Sequence, residues 1–402
     1  MSFVKNIKNY NGYFGCGKCA VEGDWINYRL VFLENDCALR SNDSFRKQLQ
    51  EEHHLGVSPF THIDSIDMIK NFPLDYMHLI CLGVIRTLVC FWMHPKRKPR
   101  LDARTLNKLS DLLNEIGKSI PKEFNRRPQK LSDAGKWKAT VSRTFLLYIG
   151  LIILQNILPD DYLKHFNKLS CAIRILCSPI DYDKNNAYAE KLLIEFVEEF
   201  KFLYGGEYLT YNFHNLIHLA KDCKEHGPLD DFSAFCFENN LFTIKLLLRK
   251  RTKILQQLHR RLIERRKYFK KEAEQNIQYP NPEFPIFNHF LPEGFVYRFQ
   301  RLKFENFELH DSAPNNCFLT KEGKIVLIKY ICYQGPNICI IGRIITEKEA
   351  IKNYPIESTL MNIFKVRNIS KELYKFYVND VKRKACKFDI NNESYIVPQL
   401  HH

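Results

Sequence analysis

The sequence predicts a mainly α chain that ends in a small β-rich domain, and three observations predict it. Apolar residues recur at helical spacing from about residue 61 to 275. A stiff, extended linker, Tyr279-Pro280-Asn281-Pro282-Glu283-Phe284-Pro285, closes that pattern. Beyond it come short runs of β-branched and aromatic residues separated by turns. At 402 residues, with 45% hydrophobic and 13% aromatic content, the chain can bury a large core in two or three domains, and disorder is expected only at the ends.

Taken in order, residues 1–60 are mixed: residues 25–33 (WINYRLVFL) read as a strand and polar loops follow. Residues 72–93 are apolar but are interrupted by Asp75, His78 and Arg86, which makes a buried helix rather than a membrane span. Leu106, Leu109, Leu112, Leu113 and Ile116 repeat at helical spacing, and residues 141–158 and 162–177 are strongly apolar helices. Residues 187–204 gather Leu192, Leu193, Phe196, Val197, Phe200 and Leu203 on one face. Helices over 210–226 and 232–248 follow, joined by a Gly227-Pro228 break. Strands are expected over 295–304, 324–333, 338–345 and 394–397. The resulting organisation is 1–60, 61–278 and 287–402.

The net charge of +15 points to a polyanionic partner. Nucleic acid is the usual one, and no anchor supports a membrane. Thirteen cysteines, an odd count without regular spacing or a signal peptide, imply reduced thiols. Most, such as Cys171 and Cys177, read as packed apolar residues.

Cys16-Gly17-Lys18-Cys19 is the exception, because one tight turn can present two thiolates to one metal. His214 and His218 are four apart and share a helical face. Each pair is two ligands short of a tetrahedral site and each would complete the other as a Cys₂His₂ zinc site. Glu51-Glu52-His53-His54, and His78 with Cys81, are competing ligand sources. Asp75 and His78 stand at i and i+3 behind Pro73, where an acid can simply face the helix dipole. Glu238 sits among Phe232, Phe235 and Phe237 and must be paired or metal-bound if buried.

Residues 245–271 hold twelve Lys or Arg and one acid, Glu264. Lys245, Arg249, Lys250, Arg251, Lys253, Arg260, Arg261, Arg265, Arg266 and Lys267 lie here with Lys270 and Lys271. Leu246, Leu247, Leu248, Ile254, Leu255, Leu258, Leu262 and Ile263 supply an apolar face, so a long amphipathic helix is expected, interrupted near Thr252. Its basic side is either a solvated face or a contact for DNA phosphates without base specificity. Pro95-Lys96-Arg97-Lys98-Pro99-Arg100 and Asn125-Arg126-Arg127-Pro128-Gln129-Lys130 are smaller basic clusters.

Four strings converge on one family: Phe72-Pro73-Leu74-Asp75-Tyr76-Met77-His78-Leu79-Ile80-Cys81-Leu82-Gly83-Val84, Trp137-Lys138-Ala139-Thr140, Tyr211-Asn212-Phe213-His214-Asn215-Leu216-Ile217-His218-Leu219, and Gly227-Pro228-Leu229-Asp230-Asp231-Phe232-Ser233-Ala234-Phe235-Cys236-Phe237-Glu238-Asn239. Over roughly residues 10–265 the chain resembles the CACTA-type DDE transposases and their animal transposon-derived relatives. The resemblance implies an RNase H-like core interrupted by a helical insertion, with Mg²⁺ held by two aspartates and a glutamate. It maps that glutamate onto Glu238, a D(2)H motif onto Asp75 and His78, and zinc ligands onto Cys16, Cys19, His214 and His218. Residues 1–60 would be a zinc-knuckle-like remnant of the core, and 61–278 the insertion with the glutamate-bearing helix. The two aspartates are expected before the CxxC, yet the fifteen residues ahead of Cys16 contain no Asp or Glu. Two-metal chemistry needs carboxylates for both ions. The expectation is therefore a nuclear, DNA-binding protein that does not cut DNA, alone or beside a homo-oligomer partner or a full-length transposase. An active Mg²⁺-dependent enzyme completed by a longer product or another chain, or a protein-interaction scaffold, are the alternatives.

Overall fold

The structure, a computed structural model, describes residues 1–272, 279–286 and 294–400, with side chains as far as Lys267 in the helix that runs to Glu272. The side chains of Lys270 and Lys271, and the domain limits expected at 278, 287 and 402, lie outside the described residues. Two compact units divide the chain: Met1–Phe232 with Lys348–Val366 and Lys387–His401, and Ser233–Glu347 with Arg367–Cys386. This division crosses the limits expected from sequence. The mixed N-terminal residues share a unit with the helices, and two stretches of the C-terminal region belong to it too. Hydrogen bonds hold those stretches: Asn167 Nδ2 donates to the Asn353 carbonyl (2.9 Å) and the Leu400 amide to the Tyr148 hydroxyl (3.0 Å).

The core of the first unit is helical. Asp160–Cys177 packs along Asn186–Tyr204, and Leu163, Phe166 and Leu169 of the first helix and Leu193, Phe196 and Phe200 of the second are all buried. His165 stacks on Phe196 with ring centroids 3.9 Å apart and bonds the Phe196 carbonyl through Nε2. Trp92, Phe145 and Phe166 form a second aromatic group, with Trp92 5.8 Å from Phe166. Each such side chain contributes on the order of 1.5–3 kcal/mol by leaving water. The apolar run at 72–93 folds as a π-helical segment, Met77–Ile85, continuing into the α-helix Arg86–Met93. Ala103–Ile116 is the expected amphipathic helix, started by an Asp102 cap on the Thr105 amide.

The strand expected over 25–33 is instead a hairpin, Asp24–Ile26 paired antiparallel with Arg29–Val31. Asn27 and Tyr28, both at positive φ, form the two-residue turn whose twist matches paired strands.

The second unit begins with the helices Phe235–Leu247 and Ile254–Glu272 and continues as antiparallel sheet. The long hairpin Ile325–Gln334/Asn337–Glu349 is central, flanked by Cys317–Thr320 and Val296–Lys303 on one side and by Tyr374–Tyr377 on the other. Its core is Leu302, Leu309, Phe318, Val326, Ile328, Ile331, Ile340 and Phe376. The proline-rich linker is a strand here: Asn281–Ile286 pairs with Val296–Lys303 at the end of the sheet. Proline lacks a ladder donor, so an edge is where such a strand is tolerated. The helical region followed by a β-rich C-terminal region matches the expected fold class. No helix among the described residues is long and apolar enough to cross a membrane.

Candidate metal centre

Two tight local structures build the centre. Residues 9–15 turn back twice, with the Gly12 amide on the Asn9 carbonyl and the Gly15 amide on the Gly12 carbonyl. A Cβ on Gly15 would lie 2.4 Å from the Asn9 oxygen, so only glycine permits this approach. The Cys16-Gly17-Lys18-Cys19 turn is then pinned from outside: the Arg40 amide donates to the Lys18 carbonyl (2.9 Å) and Arg40 Nε to the Cys16 carbonyl (3.0 Å).

The histidines arrive on Tyr211–His214 and the 3₁₀ turn Asn215–His218, which runs into the helix Leu219–His226. This segment packs on the π-helical stretch at Gly83, where a Cβ would meet Asn212 Nδ2 at 2.5 Å. Phe32, Val21 and Tyr211 wall the site with apolar surface.

The two half-sites converge. Cys19 Sγ lies 3.2 Å from His214 Nε2, Cys16 Sγ 3.7 Å from His218 Nε2, and the two sulfurs 3.6 Å apart. Ligand atoms of all four residues lie within 4.8 Å of one another, and all four residues are buried. Two thiolates and two imidazoles around one point could hold a metal ion. Among the described residues this is the one group of three or more His, Cys, Asp or Glu so placed; Asp75, His78, Glu238 and the Glu51–His53 region are not members. Burial by itself raises the Cys16 thiol, but hydrogen bonds from Cys19, His214 and His218 outweigh it and hold Cys16 well below the usual thiol range. Cys19, donating to Cys16 and buried, is pushed up. Cations stand around the pair: Lys5, brought down to about 7 by burial and then by Lys18 and Arg40, lies over the Phe45 and Phe72 rings.

A second tie runs beside the ligands. Lys18, inside the CxxC, donates to Asp222 Oδ1 at 2.5 Å, and Asp222 lies four residues after His218. Asp222 Oδ2 also accepts the Leu74 amide (2.8 Å). Lys18 and Asp222 are both buried, so this pair clamps the same two segments the ligands join. Sequence reasoning missed it, although Lys18 sits inside the CxxC and Asp222 one helical turn beyond the histidine pair.

Asp75 accepts the Met77 and His78 amides and pairs with His78 Nδ1; His78 is largely exposed. That is a capping arrangement at the start of the π-helical stretch. Asp75 and His78 belong to the first unit, and Glu238, exposed on Phe235–Leu247, to the second.

The basic stretch breaks where expected. One helix ends at Leu247 and the next starts at Ile254, the loop between them held by Gln257, whose Oε1 accepts the Arg249 and Lys250 amides. Lys245 to Lys253 and Arg260 to Lys267 carry the expected cations; Glu264 binds Arg260 (3.1 Å) and Arg261 (2.7 Å). Much of the stretch's apolar face is open to solvent. Leu246 is 66% exposed and Leu255 77%, and Phe235–Leu247 buries no residue.

A family model described as a domain of unknown function (DUF8592) matches residues 284–399, the β-rich C-terminal region. No curated protein and no solved structure matches the chain.

Proposed function

We propose that this is a zinc-bearing, transposase-like protein of the nucleus that binds the DNA phosphate backbone and does not itself cut DNA. The observation that carries the reading is the convergence of Cys16 and Cys19 with His214 and His218 across some two hundred residues of chain. A transposase-like protein of the CACTA type is what pairs these motifs in this order. In this reading the helical region is the insertion and glutamate-bearing end of an RNase H-like core, with Glu238 vestigial.

Zinc fits the donors. Bonds of about 2.3 Å to sulfur and about 2.0–2.1 Å to nitrogen at tetrahedral angles require sulfur–sulfur separations near 3.8 Å and sulfur–nitrogen near 3.5 Å. The separations here are 3.6 Å for the sulfurs and 3.2 and 3.7 Å for sulfur to nitrogen. Four protein ligands close the shell, so the ion would cross-link the fold rather than bind a substrate. Mg²⁺ prefers oxygen donors and finds none in this group.

DNA binding is supported by the +15 charge and by the exposed cations from Lys245 to Lys267. Counterion release makes such binding fall with salt, at a log–log slope of about −0.9 per phosphate neutralised. Zinc stoichiometry by atomic emission and duplex affinity against salt are the tests. One zinc per chain, a steep slope that flattens when Arg260, Arg261, Arg265 and Arg266 become Gln, and no strand cleavage with Mg²⁺ or Mn²⁺ are expected. A metal-free, folded protein or Glu238-dependent cleavage overturns the reading.

One observation favours a second reading, a protein-interaction scaffold: Phe237, Leu241, Phe242 and Leu246 are each more than 60% exposed on one helix. Strong basicity beside them disfavours self-association and suits an apolar partner surface with a carboxylate rim. Binding to DNA that is independent of salt, or absent at low salt, would move the balance to it.

A further inference from the structure

A second cationic surface lies in the first unit, outside the metal centre and outside the basic helix. The Arg29 guanidinium stands over the Tyr208 ring, 4.9 Å from its centroid, and Arg97 stands 4.6 Å from the same centroid. Arg97 also lies 4.3 Å from the Phe91 centroid, and Phe91 meets Tyr208 edge-on at 4.9 Å. Three separate pieces of chain thus meet at one ring: the hairpin Asp24–Ile26/Arg29–Val31, the loop after Arg86–Met93, and the turn Gly206–Tyr208. The loop is ordered, its Arg97 amide on the His94 carbonyl and its Leu101 amide on the Trp92 carbonyl.

Surface arginines usually find a carboxylate. Among the described residues Arg29, Lys96, Arg97, Lys98 and Arg100 have no ion pair. Asp102, after the loop, caps the Thr105 amide, and the Glu207 carboxylate beside Tyr208 lies over Gly205. Two guanidiniums fixed by one aromatic ring, with like charge around them, repel each other until an anion arrives. Contact with the ring restrains both side chains, so less side-chain freedom is left to lose on binding.

The neighbouring residue says what kind of anion. Tyr28 precedes Arg29 at the hairpin tip with φ +62° and is 92% exposed. A bulky residue in the left-handed region is unfavourable where glycine or asparagine would serve, and its ring packs on nothing. Such local strain is characteristic of positions that carry a contact. A bare ring at the hairpin tip, next in the chain to a guanidinium held on Tyr208, offers a stacking face and phosphate donors on one hairpin, which is the pairing that unpaired nucleic acid uses.

We infer that this surface binds a single-stranded nucleic-acid segment, Arg29 and Arg97 taking its phosphates and Tyr28 stacking on a base. The inference rests on the reading of the chain as a DNA-binding protein. The test uses the full chain with a fluorescein-labelled oligothymidine strand and a labelled duplex of equal length, read by anisotropy at low salt. The Arg29→Gln/Arg97→Gln variant should bind the strand at least ~10-fold more weakly, and Tyr28→Ala ~5- to 150-fold more weakly, the range base stacking supplies. Duplex affinity should stay within ~2-fold in Tyr28→Ala, because paired bases cannot stack on it. Arg29→Lys/Arg97→Lys, which keeps charge but loses the planar fork, should recover only part of the loss. Unchanged zinc content and circular dichroism confirm that the variants fold. Strand binding within ~2-fold of wild type in Arg29→Gln/Arg97→Gln, or a wild type that binds duplex but no strand, overturns this inference and leaves the broader reading standing. Failure of the wild type to bind either one overturns both.

Discussion

Two helices of this protein have similarly apolar sequences and opposite fates. Asp160–Cys177 buries thirteen of its eighteen residues, including Arg174 and His165. Phe235–Leu247, with three phenylalanines, one isoleucine and three leucines among thirteen residues, buries none. Hydrophobicity alone therefore does not say where the core is. What separates them is a partner: Asp160–Cys177 has Asn186–Tyr204 along its length, whereas Phe235–Leu247 packs chiefly on the short contact with Ile254–Glu272. In the first unit the candidate metal centre joins segments some two hundred residues apart, and the Lys18–Asp222 pair joins the same two. The second unit presents apolar and basic side chains to its surroundings. Perturbations of the first should be costly, and equivalent ones on the exposed helices should not.

The largest effect belongs to the metal centre. Structural zinc contributes about 10–16 kcal/mol in zinc-finger peptides. Here a separate helical core remains, so removal should cost less, though still at least ~4 kcal/mol. Cys19→Ser, or a strong chelator, should lower the melting temperature by ~10 °C or more, at ~2–4 °C per kcal/mol. A scan followed by circular dichroism would show it. A melting temperature unmoved by complete metal removal would place the centre outside the stabilising network and weaken the contrast.

Core truncation should rank next. Leu193, on Asn186–Tyr204, is fully buried. Leu193→Ala should destabilise by ~2–5 kcal/mol, the transfer term plus the cavity left behind. Urea unfolding gives the value directly.

Acid should act on the same helix pair. Burial brings the His165 imidazole down to about 3, whereas in the unfolded chain it titrates near ~6.5. Between those values the unfolded state binds the proton and the folded state does not, so stability rises with pH there. The contribution is complete above ~6.5 and is lost as pH falls toward about 3. By pH 5 the loss is up to ~2 kcal/mol, at about 1.4 kcal/mol per pH unit. His165→Gln, whose amide can still bond the Phe196 carbonyl, should lose less between pH 7 and pH 5 than the wild type. Parallel losses in the two proteins would assign the acid sensitivity elsewhere, the metal ligands first.

How far this architecture could be read in advance depends on the range of each interaction. Helices with a regular apolar period, such as Ala103–Ile116 and Asn186–Tyr204, were legible because that period is local. The CxxC and the histidine pair were legible as half-sites because each spacing is fixed by one turn of chain, and their incompleteness suggested the join. The Lys18–Asp222 clamp was not, since no local pattern marks a charge that will be buried against another some two hundred residues away. The hairpin at Asn27-Tyr28 was hidden because tyrosine is an unfavourable second turn residue. The edge strand Asn281–Ile286 was hidden because its prolines read as a linker. The exposure of Leu246 and Leu255 was hidden for the reason the two helices illustrate: periodicity gives a face but not its partner.

The smallest expected effect tests that last point. Leu241 is 63% exposed on Phe235–Leu247. Leu241→Ala removes little buried area and substitutes a residue with slightly better helix propensity, so the change should stay within ~0.5 kcal/mol. The same replacement at Leu193 differs by several-fold only because of what surrounds the side chain. The measurement should be made at two protein concentrations at least tenfold apart. If Leu241→Ala costs more than ~1 kcal/mol, and the cost grows with concentration, the helix is covered by a second copy in solution despite its basic neighbours. A cost that large and independent of concentration would mean that the leucine packs within its own chain. A negligible cost at both concentrations leaves the helix as an uncovered surface, and the contrast between the two regions stands.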